Sequence, residues 1–195
     1  MPAYRANTLR LKEHGFSLPE VLIAMAISSI LLLSASRFLP GLQMAMVKQT
    51  RQQALEDEVW QRLATMGKHL QRAGFCRGTC AGQGLVIAAQ DACFIVQWDG
   101  NGNGVWETSP PKEADQTGFR LQNGVLETRR GASSCGGKGW DKMTDPQRIS
   151  IRAFSVVQQQ RTGFAPALTL TLSASNTGHP DESVTARYSV TGFNL

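Results

Sequence analysis

Oxygen-bearing groups recur at alternate positions of one short segment, Asp99-Gly100-Asn101-Gly102-Asn103-Gly104-Val105-Trp106-Glu107. Side-chain oxygens at places 1, 3 and 5, a glycine at 6, the Val105 carbonyl at 7 and an acid at 9 match the opening of a calcium loop. Hard oxygen ligands suit a hard cation, and Gly104 permits the turn that would point them inward. The pattern fails at place 12, where Pro110 stands and supplies no bidentate carboxylate. Only Asp99 and Glu107 carry formal charge, so any Ca2+ affinity falls in the weak, millimolar range of extracellular sites. The competing reading is an Asx-rich turn whose asparagines bond their own backbone.

Four cysteines follow the first third of the chain: Cys76, Cys80, Cys93 and Cys135. A zinc site at Cys76-x3-Cys80 would need a second close Cys or His pair, and the sequence has none. Two disulfides are the better reading, in an oxidising compartment. Four cysteines allow three connectivities, and the sequence does not choose among them. Their expected role is structural, holding a helix exit and the 131–146 loop against a sheet. No catalytic constellation is present. His14, His69 and His179 have no nucleophile motif beside them, and no glycine-rich phosphate loop follows a strand. His69 reads as a surface or cap residue near a helix end. The chain is therefore read as a non-enzyme that requires no cofactor.

One further acid stands apart. From Phe16 to Ser36 the chain is apolar for 21 residues, and Glu20 is the only charge among them. As a helix that run spans roughly 31 Å, about the hydrocarbon thickness of a bilayer. A carboxylate left unpaired there costs at least a few kcal/mol, so an acid inside a span is a functional feature by default. The preceding polar leader carries Arg5, Arg10 and Lys12 against Glu13 and ends at Gly15. Its net positive charge keeps the N-terminus cytoplasmic. An ordinary secretory signal places its small residues after the apolar run and loses the run on cleavage. Here Gly15 precedes the run, so a cut after it retains the membrane helix.

Residues 15–39 resemble the class III signal of type IV prepilins and type II secretion pseudopilins. The resemblance implies cleavage by prepilin peptidase between Gly15 and Phe16, N-methylation of Phe16, and a pairing of Glu20 with the N-terminal amine of a neighbouring subunit. Pro19 departs from the aliphatic residue more usual in that family. Among the first four residues of a helix its missing N–H costs little. In the precursor it disfavours helix at Leu18 and leaves the cut site extended. The AGFC turn, the stretch IVQWDGNGNGVWE and the ending VTGFNL resemble a minor-pilin group related to the J/W-type subunits. That likeness implies an inner-membrane, single-pass subunit with a periplasmic C-terminal domain. Its implied partners are other minor pilins or pseudopilins and the major pilin. Its implied role is helping to initiate a type IV pilus or a type II secretion pseudopilus. The alternative role is a tip adhesin or DNA-uptake pilin that binds an external ligand.

Composition bears on that alternative. The net charge is +5, and removing residues 1–15 subtracts three positive charges and one negative, leaving +3 before termini. That is too mild to indicate nucleic-acid binding. Arg129-Arg130 reads as a solvated strand end.

The elements expected to carry these groups form an α+β, pilin-like fold. One long N-terminal helix packs on an antiparallel β-sheet. Its organisation is a leader at 1–15, a transmembrane and assembly helix at 16–39, an amphipathic half at 40–73 and a disulfide-containing β-rich domain at 74–195. Pro40-Gly41 predicts a kink or a short melted stretch in the helix. Leu55, Val59, Leu63, Met66 and Leu70 recur at spacings of four, four, three and four, a helical stripe that predicts core packing. Gly74 is placed to end the helix in a left-handed cap. Strands are expected at Leu85–Ala89, Cys93–Trp98, Gly118–Gln122, Val125–Arg129, Ile149–Gln159, Ala167–Ser175 and Val184–Thr191. Asn123-Gly124 predicts a tight hairpin, and Thr177–Asp181 a turn.

Overall fold

The structure is a computed structural model that describes residues 15–88 and 92–195. The leader at 1–14, with Arg5, Arg10, Lys12, Glu13 and His14, lies outside the described residues, as does Ala89, the last residue of the first expected strand. The chain divides into two compact units, one ending at Lys48 and one beginning at Gln49. Helix α1 spans Leu18–Arg72.

Within the first unit, α1 passes through Pro40 and Gly41 without interruption, so the expected melted stretch is not found. Proline's fixed φ is helical, and its loss is confined to one main-chain bond at the Ser36 carbonyl. Ser29, Ser34 and Ser36 each turn their hydroxyl back onto the carbonyl four residues earlier, at 2.7–2.9 Å. Those bonds satisfy hydroxyls that would otherwise be costly in an apolar setting. The helix up to Thr50 is exposed along its whole length, including Val21, Leu22, Ile23, Leu31 and Leu33. Its length and apolarity suffice to cross a membrane.

In the second unit α1 meets two antiparallel sheets rather than the single sheet the sequence suggested. One contains β1 Leu85–Ile87, β2 Cys93–Gln97, β3 Gln116–Gln122, β4 Val125–Arg130 and β5 Asp141–Lys142, ordered as in the chain. The other contains β6 Ile149–Arg161, β7 Phe164–Asn176 and β8 His179–Thr191, with β7 central. The helical stripe does what its spacing requires: Leu55, Val59, Leu63, Met66 and Leu70 are all buried. They share one core with Phe94, Val96, Phe119, Leu126, Phe154, Val156, Leu168, Leu170 and Leu172 from both sheets. Alternation along β7 aims Leu168, Leu170, Leu172 and Ala174 inward, as period two demands.

Close packing also explains a glycine in mid-helix. A Cβ on Gly67 would stand 2.3 Å from Cε1 of Tyr188 on β8. The helix accepts the conformational cost of glycine, on the order of 1 kcal/mol, to let that ring approach. Arg51 ties α1 to the start of β8, reaching Glu182 at 3.2 Å and His179 Nε2 at 2.9 Å. Asn176 donates to the other Glu182 oxygen at 3.0 Å.

The turns show where local signals sufficed. Asn123 and Gly124 adopt φ of 52° and 75°, the positive values a two-residue hairpin needs, and Gln122 pairs Val125. The β7–β8 turn is shorter than expected, because β8 begins at His179 and includes Pro180. Proline is tolerated there because β8 is an edge strand. β6 and β7 also run longer than predicted, closing over Thr162-Gly163 with Arg161 paired to Phe164. The two-residue β5, paired to Glu127 and Thr128 inside the expected 131–146 loop, has no sequence signal of its own.

Candidate functional site

Four features carry functional groups, the first of them at the helix start. α1 begins at Leu18, with Ser17 in the capping position and Glu20 at the third helical residue. Glu20 Oε2 accepts from the Ser17 main-chain N–H and the Ser17 hydroxyl, each at 3.4 Å. This is half of a capping box, and an acid there also faces the positive end of the helix dipole. Glu20 thus has a local partner that the sequence reading did not foresee, although the S-x-x-E spacing was available to find it. Pro19 falls at the second helical position, where no N–H is needed. Gly15 and Phe16 precede the helix, Gly15 with open space where a Cβ would stand and Phe16 largely exposed.

The helix exit is the second feature. Gly74, at φ 84°, ends α1 as its position predicted, and its N–H bonds the Gln97 carbonyl at 2.8 Å. Cys76 pairs with Cys80 and Cys93 with Cys135, which removes the zinc reading. The first bridge closes a tight turn just past the helix, with its two sulfurs 3.7 and 3.5 Å from the Gly104 carbonyl oxygen. The second joins β2 to the loop after β4.

The third feature is the loop between β2 and β3, which brings Asp99, Asn101, Asn103, Val105 and Glu107 together. The Asp99 side chain is only 3% exposed, yet its two oxygens take main-chain N–H groups from Arg77 (3.1 Å), Asn103 (3.1 Å) and Gly104 (2.9 Å). Burial by itself would raise the Asp99 carboxyl, but donors from Arg77, Gly104, Gly102 and Asn103 together outweigh it and hold the group below the usual carboxylate range. Asn101 Oδ1 accepts from Asn103 N at 3.0 Å and Asn103 Oδ1 from Val105 N at 2.9 Å, two successive Asx turns. The Asn103 amide in turn donates to Glu107. Asp115, which the sequence reading passed over, organises the far side by accepting from Gly100 N (3.2 Å) and Glu107 N (3.1 Å). Burial first, and then the Glu107 carboxylate beside it, push the Asp115 carboxyl up. Glu107, bonded to Asp115 and Asn103, is lowered. Among the described residues no group of three or more His, Cys, Asp or Glu side chains is arranged to hold a metal.

The fourth feature was invisible in sequence. His69 is not a surface or cap residue; its ring meets Trp98 and Phe119 edge-on, each at a centroid distance of 5.0 Å. Its Nδ1 is buried without a hydrogen-bond partner. Burial, and secondarily the charge of Arg72, lower its pKa from 6.5 to about 4, so the imidazole is neutral at pH 7. Beside it opens a cavity of about 430 Å³ lined by His69, Arg72, Trp98, Gly100, Asn101, Glu113, Ala114, Asp115, Thr117 and Arg130. Arg130 is exposed and ends β4, as expected of a solvated strand end, and it also gives Nε to the Ala114 carbonyl at 3.0 Å on the cavity wall.

Likeness to known proteins falls on the same stretches. Residues 10–36 match the prokaryotic N-terminal methylation motif. Residues 48–192 match the family described as Prepilin peptidase-dependent protein B. The prepilin peptidase-dependent protein B of Escherichia coli (strain K12) is 60% identical over 184 residues, spanning 94% of this chain and 98% of that protein. No solved structure matches the chain.

Proposed function

Because the chain belongs to the family of prepilin peptidase-dependent protein B, we propose that it is a minor pilin that helps to initiate a type IV pilus or a type II secretion pseudopilus. The junction at the start of α1 carries this reading. A glycine, an exposed phenylalanine and an acid at the third helical position open an apolar helix that has nothing to pack on within its own unit. Prepilin peptidase cuts between Gly15 and Phe16 and methylates the new terminus. The helix stays in the inner membrane, with the N-terminus cytoplasmic and the domain from Gln49 onward in the periplasm. The exposed apolar side chains from Val21 to Val47 then require lipid or other pilin helices around them. Ala24 and Ser28 follow Glu20 at four-residue spacing on one face, small enough to let a neighbouring helix approach closely. In that setting Glu20 exchanges its long contacts to Ser17 for the amine of a neighbour. An unpaired charge there costs roughly 3 kcal/mol. The role is structural, and no residue is assigned to catalysis.

Glu20→Ala tests the pairing. Cleavage and methylation should proceed as in the wild type, read by mass spectrometry of the membrane-extracted chain. Co-purification with partner pilins should fall at least tenfold, on the order of the charge cost above. Unchanged co-purification would refute the pairing. An uncut N-terminus in the wild type, or a start other than methylated Phe16, would refute the processing.

A further inference from the structure

Apart from the partnerless His69 ring and the exposed Glu113 carboxylate, the hydrogen-bonding capacity left free on the wall of the His69 cavity is chiefly that of donors. The indole N–H of Trp98 has no acceptor among the described residues, and a Cβ on Gly100 would lie 3.6 Å from it. Among those residues Arg72 makes no ion pair, and Arg130 commits only Nε, to a carbonyl. Of the two carboxylates on the wall, Asp115 is engaged and Glu113 is not. Asp115 takes the N–H groups of Gly100 and Glu107, and Glu113 is exposed. Arg72 and Arg130 are both exposed, and two solvent-facing guanidinium groups without an ion pair beside a free indole N–H form an environment that an anion completes. The apolar part of the wall is the Trp98 ring with the neutral His69 edge-on to it. At about 430 Å³ the space is of the size that holds small ligands.

We infer that this cavity binds a carboxylate, with Arg72 and Arg130 as its cationic partners, the Trp98 N–H as a neutral donor and the Trp98 ring against the body that carries the acid. The carboxylates of Glu113 and Asp115 on the same wall select a monoanion over a doubly charged phosphate, since each added ligand charge increases the repulsion. The acid comes from a free small molecule or from the chain end of a peptide. Both present the same planar fork to arginine.

Isothermal titration of the detergent-solubilised full chain distinguishes these sources. The probes are benzoate, N-acetyl-alanyl-phenylalanine with a free carboxylate, the same peptide as its C-terminal amide, and inorganic phosphate. At least one of the two acids binds, and the amide binds at least about tenfold more weakly than the free peptide acid, the loss of a charge-assisted hydrogen bond. Benzoate alone identifies a small acid as the ligand class; tighter binding of the peptide acid identifies a chain end. Arg72→Gln removes a side chain with no protein partner and should weaken the bound acid at least about tenfold while leaving the thermal melt unchanged. Arg130→Gln should do the same. Absence of heat with both acids at millimolar concentration overturns the inference. So does an amide that binds as tightly as the acid, phosphate that binds more tightly than either acid, or Arg72→Gln binding unaltered.

Discussion

Acidification from pH 7 to 5 should weaken the globular unit through His69, and the size of the effect follows from its surroundings. The ring lies between Trp98 and Phe119, its Nδ1 has no partner, and its pKa is lowered from 6.5 to about 4. In the unfolded chain the group takes up a proton near 6.5; in the folded chain it resists until about 4. The unfolded state therefore binds more protons across that interval, and stability, fully present above 6.5, is lost as pH falls towards 4. Linkage over these values gives about 2 kcal/mol at pH 5. Solvent on the open cavity side of the ring trims this to roughly 1–2 kcal/mol. His69→Phe keeps an aromatic edge against Trp98 and Phe119 and removes the titration. At pH 7 it should lie within about 1 kcal/mol of wild type, because no hydrogen bond to Nδ1 is lost. Urea unfolding of both proteins at pH 7 and 5, followed by far-UV circular dichroism, isolates the histidine, since Asp99, Glu107 and Asp115 titrate in both. If wild type and His69→Phe lose equal stability between the two pH values, the neutral, buried ring is the wrong description.

Three other outcomes can be measured on the same protein. Replacing Cys93 and Cys135 by serine should lower stability by about 4 kcal/mol, against about 2 kcal/mol for the Cys76–Cys80 pair, because loop-closure entropy grows with the enclosed length. The two bridges span 42 and 4 residues, and thermal melts of the two double variants test the order. Asp99→Ala strands N–H groups of Arg77, Asn103 and Gly104 and should lower the melting temperature by several degrees. Millimolar calcium should release no heat on the wild-type loop, since the Asp99 carboxylate already serves backbone donors; a saturable calcium isotherm abolished by Asp99→Ala would reverse that reading.

What the sequence settled was local. The N-terminal methylation motif over residues 10–36, the stripe from Leu55 to Leu70, the Gly74 cap and the Asn123-Gly124 hairpin each depend on neighbours within a few positions, where periodicity and backbone conformation act directly. The S-x-x-E pairing of Ser17 with Glu20 is equally local. Chain folding over longer distances settled the rest. Which cysteine meets which, the burial of Asp99 under the Arg77 backbone, and the second sheet are set by segments tens of residues apart. His69 is the sharpest instance. On the helix no second histidine or acid stands at helical spacing from it, and only the arrival of Trp98, Phe119 and Arg130 from separate segments completes its burial and the wall of the cavity beside it. Side-chain type sets what a group can do, but its desolvation and unmet bonds depend on what the fold packs around it.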